Sequence, residues 1–186
     1  MNKTINNRGQ ILSELLIAIA IGAFLATISA QLIAVSLNAS KTSEEKSRGA
    51  SLAQEGMESM RAIVRGNATS SQGWNRIYLP PDGTGNASSS KGINNPWHPE
   101  IIGETWQLAS SSEIISISEK NYTRKIIIEN VCRNDTGGAI AGVSPCNPGT
   151  TTDDPTTQKI TITVSKNDMP DVILSAYFAR YLNESM

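Results

Sequence analysis

The chain predicts an α+β fold: a long N-terminal helix, apolar in its first half and amphipathic in its second, followed by a C-terminal antiparallel sheet. Three observations predict it. Residues 15–37 form an apolar run without an ionisable side chain. Further on, Ala50, Ala53, Met57, Met60 and Val64 recur at spacings of three and four, the period of one helix face. Near the C-terminus, Ile160, Ile162 and Val164 alternate with Thr161, Thr163 and Ser165, the period of a strand with one face buried and one wet.

Composition bounds the class. With 186 residues and a formal net charge of -1, the chain fits one modest domain plus an anchor, and nothing in its charge suggests direct nucleic-acid binding. Charged residues make up only 18%, and Ser, Thr, Asn and Gly crowd the middle, as on a polar extracellular surface. Cys132 and Cys146 suit export, because an oxidising exterior permits a disulfide. The segment between them carries Gly137, Gly138, Gly142 and Pro145 and is flexible enough to let them meet.

Residues 1–9 are too short and polar to be structure and read as an address. Lys3 and Arg8 would hold this end on the cytoplasmic side, although Lys41, Lys46 and Arg48 follow the apolar run and blunt the asymmetry. A conventional secretory signal is an alternative, with a cut after Ala30; Ile28 suits its cleavage site poorly, and Glu14 suits its apolar region less. Residues 11–37 as a helix would span about 40 Å, enough to cross a bilayer. Within it Ala18, Ala20, Gly22, Ala23, Ala26, Ser29 and Ala30 are small, which permits close helix packing in apolar surroundings. Such a segment reads as a single-pass anchor whose small residues would also let it pack closely against other helices.

Residues 38–66 continue the helix with Leu52, Gly56 and Ile63 beside the apolar stripe and Glu44, Arg48, Glu55, Glu58, Arg61 and Arg65 on the polar side. Glu44 with Arg48 and Glu58 with Arg61 are spaced for surface pairs, and the charge run 41–48 reads as a solvated face. Arg61 and Arg65 suit the negative end of the helix dipole, with Gly66 as a left-handed cap. A single helix over 10–65 would be about 84 Å long.

Residues 67–104 read as an irregular surface loop, with Pro80-Pro81-Asp82-Gly83 and Asn94-Asn95-Pro96 as turns and Trp74, Ile77, Tyr78 and Trp97 as anchors. His98 has no partner histidine and reads as loop or local packing. Residues 105–186 carry the sheet. Its expected strands are 105–108, 113–118, 122–132, 158–166 and 171–181, the last two joined by Asn167-Asp168-Met169-Pro170.

The stretch Arg8-Gly9-Gln10-Ile11-Leu12-Ser13-Glu14, leading into the apolar run, resembles the type IV pilin and pseudopilin superfamily. In that family a prepilin peptidase cuts after the Gly and methylates the next residue, leaving a Glu at the fifth mature position. The resemblance implies cleavage between Gly9 and Gln10, N-methylation of Gln10, and Glu14 as the assembly charge contact. Gln10 stands where Phe is commonest, and Leu12-Ser13-Glu14 replaces the more usual Leu-Ile-Glu. Ala53-Gln54-Glu55-Gly56-Met57-Glu58, with Arg61 and Arg65, also looks like the helix exit of some minor pilins.

The expected partners are then a prepilin peptidase, a pilus assembly platform and other pilin subunits, with the membrane as host before assembly. The subunit would reside in the cytoplasmic membrane as a single-pass protein and then enter a cell-surface or periplasmic filament. The sequence carries no catalytic set, no phosphate-cradling Gly motif and no metal-spaced Cys and His cluster, so neither an enzyme nor a cofactor is expected. Asp135, Asp153 and Asp154 fit no calcium loop by spacing. The rival class is a membrane-tethered extracellular binding module that touches its ligand through the Trp-bearing loop.

Overall fold

The computed structural model describes residues 8–66, 73–78, 91–136, 138–167 and 169–180. The leader through residue 7, the turn at 80–83 and residue 181, the last of the expected final strand, lie outside them. The chain divides into two compact units, Met1–Glu44 and Glu45–Met186. The fold is α+β, a long N-terminal helix followed by an antiparallel sheet.

Helix α1 runs Arg8–Arg65. In the first unit its apolar side chains have no cover: Leu15, Leu16, Ile17 and Phe24 all stand more than half exposed. The helix itself takes up two hydroxyls there, Thr27 Oγ1 donating to the Ala23 carbonyl at 2.8 Å and Ser29 Oγ to the Leu25 carbonyl at 2.9 Å. Those hydroxyls therefore demand nothing from an apolar surrounding.

In the second unit the last turns of α1 lie on the sheet. Leu52, Ala53, Gly56, Met57, Ser59, Met60 and Ile63 are buried, whereas Ala50 and Val64 are only half-buried, so the contact stripe is centred slightly to one side of the one the spacing predicts. The backbones approach closely at two glycines. A Cβ on Gly49 would stand 3.0 Å from Val172 Cγ2, and one on Gly56 would stand 3.2 Å from Ile162 Cδ1. Gly66 N closes the helix on the Ala62 carbonyl at 3.0 Å. The left-handed glycine of this corner is Gly73, at φ +90°, and its N–H returns to the Ile63 carbonyl at 2.8 Å.

The sheet comprises β1 (Trp97–Ile102), β2 (Thr105–Ser110), β3 (Glu113–Ile117), β4 (Lys120–Asn134), β5 (Ile140–Val143), β6 (Thr151–Lys166) and β7 (Met169–Ala179). All pairings are antiparallel, and the path runs β2-β1-β4-β6-β7. Strand β4 is the hub. One edge of it pairs along most of its length with β6, across a bulge between Asn130 and Val131, while the other is shared in turn by β3, by β1 at Trp97 and by β5. Its alternation buries Tyr122, Ile126 and Ile128 beside Ile160, Ile162 and Val164 of β6, and these join the helix stripe, Trp97 and Leu108 in one core.

The region expected to be irregular contains two elements, the short helix α2 (Trp74–Tyr78) and strand β1. Trp74, Ile77 and Trp97 are buried there and Tyr78 packs at the margin, so the four aromatic and aliphatic anchors hold as read. His98 sits on β1 with Nδ1 3.2 Å from the Ser111 carbonyl oxygen, a local packing position.

Candidate functional site

Each residue singled out at the N-terminus falls on α1. Gly9 and Gln10 belong to its first turn, and their side chains lie outside the description. Glu14 follows Gln10 by four residues and is exposed, as are all residues from 11 to 40. A helix brings positions i and i+4 to the same face, so Glu14 shares a face with residue 10. The segment is long and apolar enough to cross a membrane, and within it no other acid or base occurs between Ile11 and Leu37.

The charge run after this segment is not merely a solvated face. Glu45 reaches the sheet: Lys120 Nζ stands 2.6 Å and Lys166 Nζ 2.8 Å from its Oε1. Hydrogen bonds from Lys120 and Lys166 draw its carboxyl down to about 2, against an opposing cost of burial. Of the surface pairs expected by spacing, Glu58 with Arg61 forms on the exposed side of α1.

A second ionic contact lies in the core. Arg124 points inward from β4 and is almost fully buried, the largest side chain so enclosed among the described residues. Its Nε and Nη2 donate to Glu113 Oε2 at 3.0 and 2.7 Å, and its Nη1 donates to the Leu52 carbonyl at 3.1 Å and to Glu55 Oε1 at 3.3 Å. One guanidinium thus joins β3, β4 and the amphipathic end of α1. The fork geometry suits Arg, since its donors are fixed in a plane and cannot be deprotonated.

Cys132 and Cys146 form the expected disulfide, with Cα atoms 5.5 Å apart. Cys132 is buried on β4 and Cys146 follows β5, so the bridge fastens the β5 turn to the central strand. A loop of this size is stabilised by about 3 kcal/mol in the chain-entropy account.

Asp135, Asp153 and Asp154 are each committed to protein donors. Asp135 accepts from Thr152, Asp153 accepts from Asn130 Nδ2 at 3.1 Å, and Asp154 accepts from Arg133 Nε at 2.5 Å and from Thr156. Burial pushes the Asp154 carboxyl up, yet the donors Thr156, Arg133 and Thr157 outweigh it and hold the group well below the usual carboxylate range. Among the described residues no three His, Cys, Asp or Glu side chains gather as a metal-sized group.

No family model matches this chain, and no curated protein or solved structure matches it either. Two ionic anchors, Glu45 and Arg124, went unread in the sequence, and so did a buried lysine, Lys91. The signal for Arg124 was present, because the alternation Tyr122, Ile126, Ile128 places it on the inward face of β4. Lys91 stands alone in a polar stretch and gave no such signal.

Proposed function

We propose that this chain is a structural subunit of a type IV pilus, or of a related type II secretion or DNA-uptake pseudopilus, polymerised through its N-terminal helix. The observation that carries the reading is the exposed apolar surface of residues 11–37, with one carboxylate, Glu14, a single turn beyond the Gly9-Gln10 peptide bond. An exposed face of that extent needs an apolar partner, first lipid and then the matching helices of other subunits. The Glu14 carboxylate needs a cation, and cleavage after Gly9 creates one at the amine of Gln10.

The partners follow: a prepilin peptidase, an assembly platform and other pilin subunits, with the membrane before assembly. The disulfide fits a domain displayed outside the cytosol.

N-terminal sequencing and mass analysis of the protein from sheared filaments test the reading. The expected product begins at Gln10, methylated and uncyclised, because cyclisation to pyroglutamate would remove the positive charge that Glu14 pairs with. A chain beginning at Gln31, or one with residues 1–9 intact, would instead mark a secreted or tethered binding module.

A further inference from the structure

Lys91 stands six residues before β1 begins at Trp97, and the residue is buried, at 8% exposure. Its Nζ lies 2.6 Å from Asn130 Oδ1 and 2.7 Å from Gln158 Oε1, with the Tyr78 ring centred 4.7 Å away. On the other side of the same amide, Asn130 Nδ2 donates to Asp153 Oδ2 at 3.1 Å. An amine, a primary carboxamide and a carboxylate at the leaving nitrogen of that carboxamide thus stand in series. These are the parts of an acyl transfer.

The fold fixes each part. Gly92 N donates to the Ile128 carbonyl at 2.9 Å, which pins the backbone next to Lys91 on β4. Ser144 N donates to the Asn130 carbonyl at 2.9 Å. The ladder between β4 and β6 shifts register between Asn130 and Val131, and a bulge of this kind re-aims the adjoining side chain. Burial also pulls the lysine pKa down to about 8, so the neutral, nucleophilic amine is accessible in mildly alkaline or neutral water.

We propose that Lys91 and Asn130 join in an intramolecular isopeptide bond, formed by the folded domain itself with Asp153 as the proton carrier. The neutral Nζ attacks Asn130 Cγ, and a C–N bond forms as the carbonyl π pair moves onto Oδ1. Asp153 takes one proton from Nζ and delivers it to Nδ2; the π pair returns, the Cγ–Nδ2 bond breaks and ammonia leaves. Amine and carboxamide become a secondary amide and ammonia, with no oxidant or other reactant required. Gln158 serves as an orienting acceptor for a second Nζ proton, and its own amide nitrogen donates to the Thr157 carbonyl at 2.9 Å. A cavity of about 270 Å³ lined by Lys91, Glu129, Asn130 and Pro145 gives the ammonia a way out. The product would tie the segment entering β1 to the central strand by a bond that reductant cannot open.

The full chain, purified and incubated at mildly alkaline pH, is reduced, denatured, digested and examined by tandem mass spectrometry. The expected result is a branched peptide containing Lys91 and Asn130, lighter than the sum of its two component peptides by one ammonia. Mapping the branch keeps it distinct from ammonia loss at Gln10. Lys91→Arg and Asn130→Ala should abolish it, and Asp153→Asn, at an exposed site, should slow its formation by about a hundredfold or more. Retention of the Cys132–Cys146 disulfide in non-reducing digests reports that each variant has folded. A folded parent chain with no branched peptide, a branch from Lys91 to Gln158, or an unchanged rate in Asp153→Asn would overturn the proposal.

Discussion

Glu45 shows how one residue can bind helix to sheet through charge-assisted hydrogen bonds. Its carboxyl accepts from Lys120 and Lys166 and titrates at about 2, against 4.5 for a free group. Between those values the unfolded chain takes up a proton that the folded chain refuses. The stability Glu45 confers is therefore complete above about pH 4.5 and is lost as the pH falls towards 2. Urea midpoints measured across that window should fall more steeply for the parent chain than for Glu45→Gln; parallel slopes would remove Glu45 from the acid response. The sequence showed the charge at this position but not its partners, which lie 75 residues and more away. Arg124 differs in kind, since strand alternation alone turns it inward. An inward guanidinium requires an anion, yet only the fold reveals Glu113 as its main partner.

At the scale of elements, α1, β4 and the second half of β6 were legible because long stretches repeat one period. The misses have local causes. Strand β1 contains Pro99, which argues against a strand by sequence, but the ladder of β1 to β4 is confined to Trp97, so the absent N–H is accommodated. The first half of β6 was hidden by Pro155, which falls where the ladder skips from Gln158 to Asp154. Two hairpins turn through Gly103-Glu104 and Ser118-Glu119, all four residues at positive φ, without the Asn-Gly pair that normally signals such a turn.

Two predictions belong to the packing of these elements. Gly49 faces Val172 and Met169 so closely that Gly49→Leu should overpack the helix-to-sheet contact and lower unfolding free energy by about 1–3 kcal/mol in a denaturant titration. Gly22 has open space around it, and the same substitution there should leave that titration unchanged. The paired change Cys132→Ser with Cys146→Ser should cost about 3 kcal/mol, read from the same midpoints, with the β5 turn the first segment to exchange its amide hydrogens.

For the whole molecule, the question is why a helix so apolar retains one carboxylate. An acid within a bilayer costs roughly 2.5 to 3.5 kcal/mol at the centre on insertion scales, and less towards the end where Glu14 sits. As a mere helix-start residue it would return only about 0.3 to 1 kcal/mol. A contact with the Gln10 amine, on its own chain or on a neighbour, gains from the apolar setting, although desolvation offsets much of the Coulomb term. Register is then the principal benefit: a pair that must be satisfied fixes how far one helix slides past the next. Glu14→Val should therefore insert in the membrane and be cleaved after Gly9 like the parent, because neither step needs the carboxylate. Its recovery in sheared filaments should fall by an order of magnitude or more, as expected when a contact worth about 1.4 kcal/mol or more is lost at each subunit addition. Immunoblots of membrane and filament fractions measure both quantities, and normal incorporation of the processed Val variant would show that Glu14 does not guide assembly.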